Sequence, residues 1–277
     1  MMGGIIDETL RLLKERRNLE GLRIIDLYLS NYFNCVKLSD GSVGACMTYA
    51  QPTDEDGNNL RELFLSKVRE DPLLLHSTSD PLSRMEMNLR CCIVNALSSP
   101  LLSKEYRSDQ TEVSELVRGF SRAVVVGFGG YLQLVLKLGT PRVHVCDLQC
   151  DTLETIRKRH GRLCRQFPQT HLTLSDGSDL KERLEGADLV CITGSALCNG
   201  TMEDVLTQTQ PGQRVIVQGE SASIIPDVLF SYGVDVLTTS LKPSNLLDTA
   251  RQNRQEFRRL LESGLPLIHL RNDGDTR

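Results

Sequence analysis

From Arg122 to Ser240, short runs of Val, Ile and Leu alternate with turn residues and helical segments, a pattern that admits few folds. Residues 123–126, 142–146, 171–174, 189–193, 214–218 and 234–239 read as strands, with helices over 131–138, 151–164, 180–184, 202–209 and 223–231. Strands this apolar cannot leave a face in water, so the pattern predicts an α/β fold: a parallel sheet covered on both sides by right-handed crossovers.

The first third reads differently. A helix with Asp7 and Glu8 in its first turn is expected from Ile5 to Arg17, then a β-prone run from Arg23 to Tyr28. Two alternating segments flank Ser39-Asp-Gly-Ser42, where Asp40-Gly41 is a preferred hairpin corner. Gln51–Asn59 reads as a loop, and 60–69 and 82–97 as helices, the second ending near Ser98-Ser-Pro100. The charged stretch Ser103–Gln110 is the linker, so the expected division is a small α+β unit over 1–108 and a Rossmann-like unit over 109–277.

A net charge of -4 argues against a protein that covers phosphate backbone, so no nucleic-acid partner is expected. No apolar run approaches the roughly 18 residues that span a bilayer, and no basic-then-apolar leader opens the chain, so no membrane partner and a cytoplasmic address are expected. The nine cysteines read mainly as reduced core thiols. No C-x-x-C or H-x-x-x-H pair occurs, which argues against a structural zinc site. Cys198 near Asn199, Cys146 with Cys150, and Cys35 with Cys46 are the available soft ligands.

In an open parallel sheet, ligands bind beyond the carboxyl ends of the strands. Four candidate loops lie there. Gly127-Phe-Gly-Gly130 opens a helix as a dinucleotide fingerprint would, but the third glycine of G-x-G-x-x-G falls at Leu132. Gly127, Gly129 and Gly130 either hold a cofactor or make a tight turn. Asp147, twenty residues after Gly127, is placed to accept ribose hydroxyls or to cap a helix. Thr193, Gly194 and Ser195 complete the expected cofactor set, and Asn199, Thr201 and Ser221 the substrate set. Glu220, at a strand end among Gly and Ser, is the candidate catalytic base, with a solvated loop carboxylate as the alternative. Asn95, in an apolar helix, either reaches the cleft or braces the core.

The stretch Ala187-Asp-Leu-Val-Cys-Ile-Thr-Gly-Ser-Ala-Leu-Cys-Asn-Gly-Thr-Met-Glu-Asp-Val-Leu206 resembles the "AD-apolar-TG-x-x-x-x-NGT-x-x-x-LL" signature of the heavy-metal chelation family. Gly219-Glu-Ser221, Tyr232-Gly-Val-Asp235, the Asp40-Gly41 corner and Asn95-Ala96-Leu97 are similar to other features of that family. The resemblance implies an enolase-N-terminal-like first unit and a Rossmann-like second unit. Two departures stand out: Glu220 replaces a proline, and Leu148 follows Asp147 where an Arg is common.

Two functions follow as expectations. One is a small-molecule enzyme holding S-adenosylmethionine or NAD(P) in an interdomain cleft, in metal-chelator biosynthesis if the family label applies. The other is a non-catalytic binder of heavy metal or metal chelate, with Glu220, Cys198 and Asn199 as contacts. A homodimer is the prior for such folds.

Overall fold

The computed structural model describes residues 4–48, 84–109, 111–127, 131–147 and 153–272. The loop expected over 51–59, the helix over 60–69, Gly129, Gly130, Leu148 and Cys150 lie outside the described residues.

The first helix, Ile5–Arg16, buries Ile5, Ile6, Thr9, Leu10 and Leu13, the stripe that a period of 3.6 puts on one face. Three antiparallel strands follow in the order β1 (Ile24–Tyr28), β2 (Phe33–Leu38), β3 (Val43–Met47). At the β2–β3 corner Gly41 takes a φ of 86°, and Asp40 accepts a hydrogen bond from the Ser42 amide at 3.0 Å.

The helix Arg84–Lys104 lies against β3 and runs through Pro100, where the sequence predicts its end. Proline removes one backbone donor. Leu97, Leu101 and Leu102 are all buried around it, and that packing carries the helix past the break.

Gly44 sets how closely strand and helix meet: a Cβ there would stand 1.9 Å from the Cys92 carbonyl oxygen and 2.5 Å from the Ala96 nitrogen. Gly44→Ala should therefore lower the unfolding free energy by at least about 1–3 kcal/mol, as forced overpacking does. Urea unfolding measures this, and an unchanged midpoint would refute the contact.

The second unit carries a seven-stranded sheet in the order β10-β9-β8-β7-β4-β5-β6. Its strands are β4 (Arg122–Val126), β5 (Arg142–Cys146), β6 (His171–Ser175), β7 (Leu189–Thr193), β8 (Arg214–Gln218), β9 (Val236–Ser240) and β10 (Leu267–Arg271). The first six are parallel, and β10, which was not among the expected strands, adds antiparallel to β9.

Val124 and Val126 join one core, Ala123 and Val125 the other, so the period of two feeds both faces. The chain winds outward from β4 to β6 and returns to β7 on the other side of β4. The topological switch point therefore lies between β4 and β7.

A third core seats Leu246, Leu247 and Phe257, from the helices Leu246–Gln252 and Arg254–Arg259, against Phe33, Cys35, Val43 and Ala45. The last part of the chain thus clasps the first sheet. No helix among the described residues is long and apolar enough to cross a membrane.

His269 on β10 sits in a buried polar chain: its Nδ1 is 3.0 Å from Thr238 Oγ1, which is 2.5 Å from the Tyr131 hydroxyl. Burial holds the imidazole below its ordinary pKa. The unfolded chain takes up that proton near pH 6.5 while the folded chain resists it, so stability is complete above that value and declines as the pH falls through it. Thermal unfolding across this range should show a shallower acid loss in His269→Asn than in the parent protein. Equal slopes would show that His269 contributes nothing.

Candidate functional site

Gly127, Asp147, Thr193, Gly194, Ser195, Glu220 and Ser221 lie at or just beyond the carboxyl ends of β4, β5, β7 and β8, while Asn199 and Thr201 come only after the one-turn helix Ser195–Cys198. Gly127 takes a φ of 86°, and a Cβ there would be 2.4 Å from Thr193 Cγ2. A Cβ on Gly194 would stand 2.8 Å from that of Ala222. Both glycines let adjacent strand exits close on one another.

Thr193 Oγ1 and Ser195 Oγ are 3.0 Å apart. Asn199 Oδ1 accepts from the Thr201 amide at 3.1 Å and hydroxyl at 2.7 Å, an Asx turn that opens the helix Met202–Leu206. Asp147, one strand over from Gly127, donates its amide to the Ser175 carbonyl at 3.0 Å.

Ser221 faces the first unit. Its hydroxyl accepts from the Met47 amide at 2.9 Å, and its carbonyl accepts from Asn95 Nδ2 at 3.1 Å and from the Cys91 thiol at 3.3 Å. Asn95 Nδ2 also donates to the Ala45 carbonyl at 2.8 Å, so this residue braces β3 against the second unit. The small unit is thereby seated on the rim at β7 and β8. A cavity of about 600 Å³ lies elsewhere, beside the linker, lined by Tyr106, Arg107, Asp109 and Phe230 among others.

Glu220 is ion-paired. Its Oε2 lies 2.6 Å from Lys242 Nζ, with the two side chains 12% and 1% exposed, and it accepts a hydrogen bond from Ser240. Lys242 also donates to Ser223 Oγ at 2.5 Å and to the Ser240 carbonyl at 2.9 Å. Sequence reasoning missed Lys242. Its one signal was a lone cation two residues beyond an apolar strand.

The seam between the units holds a cluster of thiols. Cys46 from β3, Cys91 from the helix Arg84–Lys104 and Cys198 from the helix Ser195–Cys198 are all buried, and their sulfurs lie within 4.8 Å of one another. Cys91 and Cys198 are 3.5 Å apart, and Cys92 stands 3.2 Å from Cys46. Burial would raise the Cys198 pKa, but its polar contacts with Cys46, Cys91, Ser221 and the Met47 amide outweigh it and hold this thiol well below its ordinary value. Cys91 is raised, first by its bond to Cys198, and Cys46 is raised, first by burial. Three sulfurs gathered out of water suit a soft, thiophilic metal ion, so the donor set fits the metal that the family resemblance implies.

A seven-stranded, mostly parallel sheet with a three-stranded antiparallel sheet packed at its carboxyl edge defines an α/β protein of Rossmann-like fold. The chain belongs to the DUF364 family, whose description is "Putative heavy-metal chelation" and whose profile matches residues 111–259. It is similar to a DUF364 protein of unknown function from Pyrococcus horikoshii, at 16% identity and a TM-score of 0.67, over 97% of this chain and 100% of that one. It is also similar to a DUF364 protein of unknown function from Desulfitobacterium hafniense DCB-2, at 12% identity and a TM-score of 0.64, over 97% and 98%. At such identities the likeness speaks for the fold alone. No curated protein gives a significant match.

Proposed function

We propose that this protein chelates a soft heavy-metal ion with Cys46, Cys91 and Cys198. The observation that carries this reading is the convergence of three buried thiols, two from one unit and one from the other, around a sulfur already disposed to ionise. The family description agrees with it. Thiolates select copper(I)-class and mercury-class ions over hard cations. The bound ion would be held by ligands alone, in a site closed to solvent.

Anaerobic titration with copper(I) or cadmium(II) tests the reading. One equivalent should bind with sulfur-to-metal charge-transfer absorption. Cys91→Ser should weaken binding by at least about 100-fold, since even outer-shell changes cost 10–100-fold. Cys164→Ser, away from the cluster, should bind as the parent does. Uptake indifferent to Cys91→Ser would refute the assignment.

A second reading has S-adenosylmethionine or NAD(P) lying on Gly127 and Asp147. One observation favours it: these two residues leave adjacent parallel strands at the edge where open sheets bind ligands. Calorimetry on the parent protein and Asp147→Ala decides it, because binding that Asp147 supports must weaken in the variant.

A further inference from the structure

Beyond the thiol seam, a second donor set lies on the far side of β4. His144 and Cys146 alternate on β5, so both side chains point to the same face of the sheet, and Asp179 follows β6 in the turn before the helix Leu180–Leu184. One ring nitrogen or sulfur from each of the first two and one carboxylate oxygen from the third come within 4.8 Å of one another. Each donor is held by neighbours. His144 Nδ1 is 2.7 Å from Thr173 Oγ1, which fixes the ring, while Nε2 faces Ser175 Oγ at 2.9 Å and Asp179 Oδ1 at 3.9 Å. Asp179 Oδ2 accepts from Arg183 Nε at 2.6 Å. Asp179 Oδ1 is buried and has no hydrogen-bond partner. A carboxylate with one oxygen anchored and the other unsatisfied, beside an oriented imidazole and a thiol, is what the outer shell of a metal site provides.

We infer that His144, Cys146 and Asp179 form a second metal site, for a borderline divalent ion of the zinc class. One nitrogen, one sulfur and one oxygen donor suit such an ion, and three protein ligands leave one position of a tetrahedral shell for water or a bound ligand. The all-sulfur seam suits softer ions, so the two sites would divide ions by ligand chemistry. Binding replaces the Ser175 contact at Nε2 and releases the Cys146 proton to solvent. Cys146 and His144 are buried, and the Asp179 side chain is 24% exposed. Cys146 ends its strand next to Asp147, so the site lies at the carboxyl edge of the sheet.

Cobalt(II), a spectroscopic substitute for zinc, reads this site directly. In the full chain carrying Cys46→Ser, Cys91→Ser and Cys198→Ser, one equivalent should still bind and show sulfur-to-cobalt charge transfer. Adding Cys146→Ser should abolish that band. His144→Gln should weaken binding at least about 10-fold, while His160→Gln, on a neighbouring helix, should not. If the triple variant does not fold, cobalt added to the parent chain with its thiol seam filled by copper(I) gives the same reading, with Cys146→Ser as the only change. No cobalt uptake, or a charge-transfer band that survives Cys146→Ser, would overturn the inference. Because copper(I) reads the seam separately, failure of one site leaves the other standing.

Discussion

Lys242→Met lowers the unfolding free energy by about 3–5 kcal/mol, the cost of leaving one member of a buried ion pair without its partner. The size follows from the setting. The Lys242 side chain is 1% exposed, and its Nζ is the cation 2.6 Å from Glu220, whose other support is a neutral hydroxyl from Ser240. Removing the ammonium strands a carboxylate where little water reaches it. Lys242→Met with Glu220→Gln should recover part of the loss, because a neutral amide no longer leaves a buried charge unpaired. Chemical unfolding of the two single variants and the double variant measures this coupling. A loss below about 1 kcal/mol in Lys242→Met would mean that the pair is solvated and worth only what surface pairs are worth.

Soft-metal loading raises stability by about 4 kcal/mol when the free ion stands at roughly a thousand times its dissociation constant, less whatever the thiols of the unfolded chain retain. The gain arises because the three sulfurs come together only in the folded chain. Cys91 and Cys198 are 107 residues apart in sequence, and each stands on a different unit. Cys198→Ser removes the one ligand that the second unit contributes, so cadmium(II) should no longer raise the midpoint of the variant above that of its own apo form. Thermal unfolding with and without cadmium(II) reads this directly. Equal metal-induced shifts in parent and variant would refute a site that bridges the units.

These two effects depend on partners that the sequence does not bring together. Glu220 was visible as a strand-end carboxylate, but Lys242 lies beyond the following strand, and nothing local links them. The cysteines follow the same rule. The spacing of Cys46, Cys91 and Cys198 matches no metal motif, because their donors come from a strand, a long helix and a one-turn helix in two units. Adjacent Cys91 and Cys92 both reach Cys46, and Cys91 alone also meets Cys198, a convergence across the seam that no spacing along the chain encodes. His144 and Cys146 carried a faint signal, two ligand-type residues at strand spacing, but Asp179 lies past the next strand.

Strands were easier to read than their edges. β4 to β9 are parallel, and β4, β5, β7 and β8, mostly buried on both faces, are compact runs of largely apolar residues. β10 escaped because an antiparallel edge strand needs only one apolar face. Pro100 marked the end of a helix that continues, because packing on both sides of it outweighs the missing donor.

The sequence by itself determined the α/β class, the positions of six parallel strands and the family, because these rest on periodicity and on contiguous motifs. Only the tertiary structure decided which glycines exist to let strand exits close, which cation holds Glu220, and which thiols share a seam. Side chains brought together by the folding of distant segments leave no spacing in the chain to be read, since their contact energy is set by geometry across the units and not by neighbours along the backbone.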